Sequence, residues 1–281
     1  MELTVESISK LIVDKKGICA FYDDKIFENV VSDLNPKEIN GISNRSIYYW
    51  RRKERPMPIF CLVDICEKSS INTVNISALS TNSGNKTLIP QNGNFYLSYF
   101  LGLLLGDGCI CISKERELKK QSYSIRIAVK GDKRINQVLK LMRNLFGINP
   151  SQHKGKGCYE ICIYSKALLF FLNTYYEIPI GEKYSLIKVP SKIKDNSESI
   201  MYFLKGMMDS DGNKYLHRGK LCFQLRQKSG NFLSEVYELF HKIGINVNRP
   251  YFDKANNSWV IWCSKKSVVD KFINDIDALK I

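Results

Sequence analysis

An internal repeat is the feature that most restricts how this chain of 281 residues can fold. The segment YFLGLLLGDG at residues 99–108 recurs as YFLKGMMDSDG at residues 202–212. Shorter matches follow in the same order, such as FGIN at residues 146–149 and IGIN at residues 243–246. Every match is displaced along the chain by nearly the same distance. Ordered matches of this kind indicate two copies of one structural unit.

Both copies alternate between two hydrophobic periods. Apolar residues at every second position predict strands, and apolar residues three or four positions apart predict helices. The order in each copy is helix, two strands, helix, two strands, helix, which predicts an α+β fold of two pseudo-symmetric αββαββα half-domains. The predicted strands include residues 109–114, 123–130, 158–164, 221–227 and 259–263, and the helices after the motif helix cover residues 131–146, 166–175, 232–243 and 265–276.

The chain before the repeat has a different character. Residues 6–13 and 24–31 are amphipathic with a helical period, and Pro36 stands at a position typical of a helix start. Ser, Asn, Thr and Gly are frequent between residues 69 and 94, as in a linker. We therefore predict four segments: a small all-α domain at 1–75, a linker at 76–92, a first half-domain at 93–198 and a second half-domain at 199–281.

Positive charge is concentrated in the repeated part. The net charge is +14, yet residues 1–92 contain 12 Lys and Arg against 11 Asp and Glu. Residues 93–281 contain the other 30 basic residues against 17 acidic ones. A field of this sign attracts polyanions, among which nucleic acid is the commonest partner. The alternative is that the lysines serve solubility alone.

Cysteine usage and hydropathy exclude several other classes of protein. The nine cysteines are irregularly spaced and fit no paired zinc-binding pattern, so we expect small core residues in a reducing compartment. The apolar stretch at 95–105 is shorter than the ~20 residues that span a bilayer. Glu2 and Glu6 are unlike the start of a signal peptide. We expect an intracellular protein without a membrane partner, in the cytoplasm or wherever the host genome lies.

The two long apolar segments share a pattern of small residues. Residues of this size four positions apart form a flat stripe through which two helices can approach closely. If the segments pack in this way, their C-terminal ends lie side by side, and each end presents an aspartate before a glycine. The small residues are Gly102 and Gly106 in the first segment and Gly206 and Ser210 in the second, and the aspartates are Asp107 and Asp211.

A pair of adjacent carboxylates has a recognisable chemistry. Like charges repel unless a cation lies between them, and carboxylate oxygens suit Mg²⁺ or Ca²⁺. A metal held against DNA can lower the pKa of an attacking water and stabilise the leaving oxygen of a phosphodiester. Asp107 and Asp211 are therefore predicted metal ligands and catalytic residues. The alternative, that each Asp-Gly is only a turn signal, is weakened by its occurrence in two equivalent segments.

The two motifs resemble those of the LAGLIDADG, or dodecapeptide, homing endonucleases. FLGLLLGDG at 100–108 and LKGMMDSDG at 204–212 align with the nine-residue family motif on their terminal Asp-Gly, and IGEKYSLIKVP at 180–190 resembles the connection between half-domains. The resemblance covers about residues 90–281. It implies a saddle of two half-domains on double-stranded DNA, in a monomer with internal pseudo-two-fold symmetry.

The resemblance also implies site residues. A divalent metal, Mg²⁺ or Mn²⁺, is expected at the last aspartate of each motif, which is Asp107 in the first and Asp211 in the second. Asp209 is not carried over, because its counterpart in the first motif is Leu105. The family places basic residues around the scissile phosphates, and Lys183 is the candidate for a catalytic role of this kind. The alternative is a solvated loop lysine.

Two predicted strands have a polar face suited to DNA. Residues 124–130 and 222–228 alternate apolar residues with polar or basic ones. A twisted antiparallel sheet fits the major groove, where Arg can contact guanine and Gln can contact adenine. An ordinary solvated sheet face is the alternative. The predicted DNA-binding residues on these strands are Arg126, Lys130, Gln224, Arg226 and Lys228.

A second DNA-binding feature is predicted near the N-terminus. A helix, a turn at Gly41 and a second helix capped by Ser43 resemble the reading half of a phage-repressor helix-turn-helix. The second helix contains Arg45, Arg51 and Arg52, which we predict to bind DNA. A plain helical bundle remains the alternative.

Together these features predict a site-specific, Mg²⁺-dependent DNA endonuclease that cuts both strands. The alternatives are a non-cleaving DNA-binding regulator and a maturase that binds intron RNA on the same scaffold. We do not expect a self-splicing intein, since the chain begins with Met1 and ends in Lys280 and Ile281.

Overall fold

The computed structural model describes residues 1–12, 17–34, 42–81, 84–91, 93–114, 121–155, 157–183 and 186–281. Within these ranges the chain forms three sheets and ten α-helices. The helices are α1 (Val5–Ser9), α2 (Lys25–Asp33), α3 (Asn44–Arg51), α4 (Ile59–Lys68), α5 (Phe95–Asp107), α6 (Asp132–Phe146), α7 (Lys166–Tyr175), α8 (Ser197–Ser210), α9 (Gly230–Lys242) and α10 (Lys266–Phe272). The strands are β1 (Glu2–Thr4), β2 (Cys19–Tyr22), β3 (Met57–Pro58), β4 (Thr73–Ser80), β5 (Thr87–Leu88), β6 (Gly108–Lys114), β7 (Gln121–Val129), β8 (Ser151–Lys154), β9 (Tyr159–Tyr164), β10 (Gly212–His217), β11 (Lys220–Gln227), β12 (Tyr251–Asp253) and β13 (Ser258–Cys263).

The repeated part of the chain folds twice into the same unit. Each unit has a four-stranded antiparallel sheet, in the order β6-β7-β9-β8 in the first and β10-β11-β13-β12 in the second. A long apolar helix precedes each sheet, and two further helices follow within or after it. The predicted α+β fold with two αββαββα half-domains is therefore confirmed. A one-turn 3₁₀ helix at Ser191–Ile193 precedes α8, and a π-helical segment at Ile273–Asp277 follows α10.

The long apolar helices α5 and α8 begin in the same way. Each starts after an asparagine whose side chain accepts hydrogen bonds from backbone N–H groups of the first turn, Asn94 for α5 and Asn196 for α8. Such a cap satisfies donors that have no partner inside the helix. Nine of the thirteen residues of α5 are buried, which explains why the helix is apolar around most of its circumference.

The two helices touch backbone to backbone at a pair of glycines. A Cβ added to Gly102 would lie 3.0 Å from the Cα of Gly206, and a Cβ added to Gly206 would lie 3.0 Å from the Cα of Gly102. Each added carbon would also collide with a backbone carbonyl, of Phe203 and Tyr99 respectively. The predicted packing through small residues is confirmed. The contact between these two glycines lies between the two half-domains.

The predicted all-α character of the N-terminal domain is wrong. Strands β1, β2, β3 and β4 form an antiparallel sheet in the order β1-β4-β2-β3, and β5 also pairs with β4. The prediction failed mainly at β4, which has the sequence TVNISALS. Val74, Ile76 and Ala78 point inward, and the polar residues between them are partly exposed. A strand with one buried face has this alternation, and its polar half resembles a linker in composition.

The segment predicted as a linker, residues 76–92, instead joins the N-terminal sheet to the first half-domain. Strands β4 and β5 occupy part of it and lie against α7 and α6. The hydroxyls of Thr87 and Ser165 are 3.1 Å apart, and the side chain of Leu88 lies over Gly147. The sheet is therefore attached to the helical layer of the first half-domain.

The second helix of the predicted helix-turn-helix is present. Ser43 caps α3 by accepting a hydrogen bond from the backbone N–H of Ser46, as expected. The turn at Gly41 and the helix predicted before it fall within residues 35–41, outside the described residues. The helix-turn-helix itself therefore stays a prediction.

Two further observations concern disulfide bonds and membrane-spanning helices. None of the nine cysteines forms a disulfide within the described part of the chain, and six of them are buried: Cys19, Cys61, Cys66, Cys162, Cys222 and Cys263. Over the described ranges, no helix combines the length and hydropathy needed to cross a bilayer.

The glycine contact gives a stability prediction. Gly206→Ala should lower the free energy of unfolding by about 2–3 kcal/mol, because the new methyl group must push two helix backbones apart. Gly155→Ala is the matched control, since a Cβ there meets its nearest atom at an ordinary 3.4 Å. Urea denaturation of both variants would measure the difference. An equal effect of the two substitutions would contradict the close approach of α5 and α8.

Candidate functional site

The close contact between α5 and α8 brings the two motif aspartates to one place. Asp107 is the last residue of α5, and Asp211 caps the end of α8. A Cβ added to Gly106 would lie 2.8 Å from Oδ2 of Asp211, so the carboxylate of the second motif rests against the backbone of the first. Both aspartates line one open cleft of about 570 Å³. The cleft is also lined by Gly106, Gly108, Cys109, Gly181, Glu182, Lys183, Arg226, Gln227, Lys228, Asn256 and Ser258.

Both carboxylates are held in surroundings that disfavour their charge. Burial, followed by the charge of Asp107, raises the pKa of Asp211 to about 6, although Lys183 and Gln227 act in the opposite direction. Burial also raises the pKa of Asp107, against the charges of Arg134, Lys183 and Lys130. A cation in the cleft would remove this unfavourable energy.

The donor set fits a hard divalent cation completed by other ligands. Among the described residues, no group of three or more His, Cys, Asp or Glu side chains could form a metal cage. The cleft instead supplies the carboxylates of Asp107 and Asp211 at the two helix ends, and Glu182 also belongs to its lining. Mg²⁺ is usually bound by one or two carboxylates together with water and substrate phosphate, so the residues fit such an ion.

Lys183 lies in the cleft, but its ammonium group is engaged by the main chain. Its Nζ donates to the carbonyl oxygens of Leu105 and Gly108 at 2.8 Å each, and also to that of Gly106. An ammonium group has three N–H donors, and these carbonyls accept all of them. Lysine is favourable at this position, because the last carbonyls of a helix lack partners and form its negative end. Burial lowers the pKa of Lys183, and the charges of Asp211 and Asp107 oppose that shift.

Lys183 reaches the end of α5 because its segment pairs with the first sheet. Ile180 forms a parallel bridge with Ile110, and the N–H of Gly181 donates to the carbonyl of Ile110 at 2.8 Å. The structure therefore places Lys183 beside the predicted metal ligands. Its predicted contact with a scissile phosphate stays a prediction.

Gln227 is a site residue that the sequence analysis missed. It is buried, and its Nε2 donates to Oδ2 of Asp211 at 2.5 Å. A signal was present, since Gln227 continues the buried positions Phe223 and Leu225 of β11 with a polar residue. A buried polar side chain in an apolar series requires a partner.

The two halves of the cleft differ at this position. Gly212 pairs with Leu225 in the second sheet, and Gly108 pairs with Ile127 in the first. Two residues further along, Gln227 therefore corresponds to Val129, which is buried and apolar. The pseudo-symmetry of the backbone does not extend to the side chains that contact the aspartates.

Three of the DNA-binding residues predicted on the sheets, Arg126, Gln224 and Arg226, are half-buried and alternate with buried core residues of β7 and β11. The other two, Lys130 and Lys228, directly follow these strands. Directly paired residues share a face. Arg126 pairs with Cys109 and Cys162, and Gln224 pairs with Asn213 and Trp262.

The basic residues at these positions differ in the contacts that their side chains make. The guanidinium of Arg226 binds Asp253 at 2.7 Å and lowers the pKa of that carboxyl to about 2. Arg126 lies 3.6 Å from Glu160. Lys130 is exposed, and Lys228 donates to the carbonyl of Asn257 at 3.3 Å.

The three arginines predicted on the N-terminal helix do not line the cleft. Arg51 donates to the carbonyl oxygens of Val31 at 3.2 Å and Leu34 at 2.8 Å, and so holds the end of α2. Arg45 is exposed on α3, and Arg52 is exposed at the C-terminal cap of that helix. Their DNA contacts stay predictions.

Asp209, which was not carried over from the family motif, contacts residues outside the cleft. Its carboxylate accepts a hydrogen bond from the hydroxyl of Tyr99 at 3.0 Å and pairs with Lys205 at 3.1 Å. Lys205 is nearly buried and also contacts Asp277. Asp209 thus joins α8 to α5 and to the C-terminal segment.

Comparison with known proteins supports the fold. No family model matches the chain. A probable translation initiation factor IF-2 of Methanocaldococcus jannaschii is 26% identical over 218 residues, which are 74% of this chain and 17% of that factor.

Solved structures of the homing endonuclease I-DmoI match about two thirds of the chain. I-DmoI in complex with DNA and Mn has a TM-score of 0.51 at 20% identity and covers 66% of this chain and 98% of its own. Mesophilic variants of I-DmoI give 0.52 at 20% identity, covering 68% and 99%. The complex with DNA and Ca gives 0.51 at 22% identity, covering 66% and 91%. The chain therefore has the two-half-domain fold of I-DmoI, as its resemblance to the LAGLIDADG homing endonucleases implied.

The raised pKa of Asp211 gives a pH prediction. The carboxyl titrates near 3.8 when unfolded and near 6 when folded, so the folded state is disfavoured as pH rises through this window. Asp211→Asn should therefore raise the free energy of unfolding by about 2 kcal/mol at pH 8, with no gain at pH 4. Asp209→Asn is the control and should destabilise, because it removes an ion pair. Thermal unfolding from pH 4 to 8 would contradict the account if the two variants behaved alike.

Proposed function

We propose that this chain is a site-specific DNA endonuclease that hydrolyses both strands with a divalent metal, Mg²⁺ or Mn²⁺. One observation supports it above the others: Asp107 and Asp211 occupy equivalent helix ends and meet in one cleft, where burial raises the pKa of both. A structural turn requires no such pair. A strained pair of charges in a cleft is typical of sites that bind a cation.

The two aspartates would hold the metal, and the metal would lower the pKa of a water and stabilise the leaving oxygen of the phosphodiester. Neighbouring residues orient these ligands. Gln227 fixes one carboxylate oxygen of Asp211 and leaves the other for the ion. Lys183 fixes the carbonyls on both sides of Asp107, so this aspartate stays at the helix end. We expect Arg226 and Lys228, which line the cleft, to contact phosphates.

Duplex DNA is the substrate that best fits the surroundings of the cleft. The repeated part of the chain has 30 basic against 17 acidic residues. The open faces of both sheets contain arginine and glutamine, which can form paired hydrogen bonds with base edges. I-DmoI, whose fold is similar, has been solved with DNA and Mn and with DNA and Ca. We infer that the monomer binds one duplex across both sheets.

The catalytic assignment is tested by paired substitutions. Asp107→Asn and Asp211→Asn should each abolish cleavage and leave DNA binding equal or tighter, because a negative charge facing phosphate is removed. Asp209→Asn, two residues from Asp211, should keep cleavage because Asp209 faces Tyr99 and Lys205. Substrates are found by incubating the protein with a randomised duplex library, with and without Mg²⁺, and sequencing the cut ends.

Three outcomes of that experiment are distinct. Cleavage by either Asn variant at the wild-type rate would refute the site. Tight duplex binding by the wild-type protein without cut ends would indicate a non-cleaving regulator. Preferential binding of a structured intron RNA over duplex DNA would indicate a maturase.

Unequal cutting of the two strands is a further expectation. Gln227 contacts Asp211, whereas the equivalent Val129 has no polar group to offer Asp107, and Lys183 binds the end of α5. Nicked DNA should therefore accumulate as an intermediate. Gln227→Met and Lys183→Met should each slow mainly one strand, by on the order of 10²-fold if a positioned donor is lost. Strand-specific end-labelling measures both rates.

The exposed lysine Lys188, in the same connection as Lys183, provides the control for this measurement. Lys188→Met should leave the ratio of strand rates unchanged. Equal strand rates in the wild-type protein, together with no selective effect of either cleft substitution, would refute the asymmetry.

A further inference from the structure

A second basic surface lies on α3, outside the cleft. One side of this helix is anchored in the core by Ile47 and Trp50. The other side of the helix and the turn after it present arginines and tyrosines. Tyr48, for example, is 51% exposed. We call this group the arginine–tyrosine surface; it consists of Arg45, Tyr48, Tyr49, Arg52 and Arg55.

The arginines of this surface are ordered by the tyrosine rings. Arg45 donates from Nε and Nη2 to the hydroxyl of Tyr49 at 3.4 and 3.3 Å, and the guanidinium of Arg55 lies 4.2 Å from the centre of the same ring. Arg52 donates from Nη1 to the hydroxyl of Tyr48 at 2.5 Å and lies 5.3 Å from its ring centre. Stacked guanidiniums lose less rotamer entropy on binding an anion than free ones.

These arginines keep donors for a ligand. A guanidinium has five N–H donors, and the contacts to tyrosine use one or two nitrogens of Arg45 and Arg52. Glu54 is the acidic neighbour, at 2.6 Å from Nε of Arg52. The Nη1 group of Arg45 and the Nη2 group of Arg52 take no part in these bonds, and a phosphate can accept from them.

The charge of this segment contrasts with the rest of its domain. Residues 44–55 contain five basic residues and one acidic residue, although residues 1–92 as a whole are nearly balanced. The remainder of the domain is therefore acidic. Such a concentration of like charge on one face attracts polyanions locally and is not explained by solubility, which requires no clustering.

The surface is also held rigidly in place. Arg51, on the same helix, binds the carbonyls at the end of α2, and Lys53 pairs with Glu28 of α2 at 2.5 Å. These two basic residues thus fix α3 to its neighbour. Among the described residues, the arginines of the surface form their hydrogen bonds, ion pair and ring contacts with residues of α3 and the turn that follows it. The domain itself docks through β4 and β5 on the helical layer of the first half-domain.

We propose that the arginine–tyrosine surface binds the phosphate backbone of duplex DNA, without contacts to the bases. The choice of DNA as the polyanion rests on the proposed function. Arginine and tyrosine hydroxyls are frequent phosphate ligands in DNA complexes, and phosphate contacts position a protein without specifying sequence. The protein would then contact its substrate at two separate places, the sheets of the half-domains and the arginine–tyrosine surface.

The test compares two triple variants of the full chain with equal loss of charge. One is Arg45→Ala, Arg52→Ala and Arg55→Ala. The control is Lys10→Ala, Lys25→Ala and Lys68→Ala, which removes three basic residues of the same domain outside the surface. Binding to a 60-base-pair duplex is measured by fluorescence anisotropy from 50 to 200 mM KCl, with Ca²⁺ in place of Mg²⁺ and circular dichroism as the check of folding.

Each lost phosphate contact should reduce the slope of log affinity against log salt by about 0.9. The arginine variant should therefore lose about 2–3 from the slope and bind at least tenfold more weakly at 50 mM KCl, whereas the lysine control should change little. A variant with Lys at all three positions should keep most of the slope but lose affinity, because it lacks the stacked planar groups.

Equal slopes for the arginine variant and its control would overturn the proposal. So would unchanged duplex binding with lost binding to a single-stranded RNA of the same length, which would assign the surface to RNA. The result is independent of cleavage: a reduced slope in a protein whose wild type does not cut DNA would leave this surface standing while the proposed endonuclease function fails.

Discussion

The approach of two helix backbones at Gly102 and Gly206 is the constraint on which the rest of the structure depends. Neither position has room for a Cβ, so the backbones of α5 and α8 are in direct contact there. This contact sets the pseudo-two-fold relation between the half-domains. It also fixes where both helices end, and hence the position of Asp107 against Asp211. Fold and site share one interface.

The site is stabilised less well than the fold around it. Two carboxylates are partly buried together, which raises the pKa of each and costs free energy while no cation is present. The surroundings offset part of this cost, since Lys183 neutralises the end of α5 and Gln227 binds Asp211. Local instability of this kind is typical of positions retained for function, because burial sharpens the attraction for a metal and for the phosphate it contacts.

The sequence predicted the repeated part well and the rest incompletely, for physical reasons. The half-domains were predictable because their hydrophobic periods and motif glycines report burial directly. The N-terminal sheet was not, because β4 has polar residues on its outer face and resembles a linker in composition. The carbonyl contacts of Lys183 and the bond from Gln227 to Asp211 depend on which strands and helix ends become neighbours. Residue types along the chain do not determine that arrangement, although the polar residue in the apolar series of β11 was a usable signal.

The central proposal is that α5 and α8 pack so closely that their terminal aspartates bind a shared cation. Its most direct test is a crystal structure of the wild-type protein with a selected duplex and Mn²⁺, with data collected at the manganese absorption edge. The account predicts an anomalous difference peak between the carboxylates of Asp107 and Asp211, in contact with a DNA phosphate. Anomalous peaks confined to other places, with the cleft between these two carboxylates free of metal and the DNA bound, would contradict it.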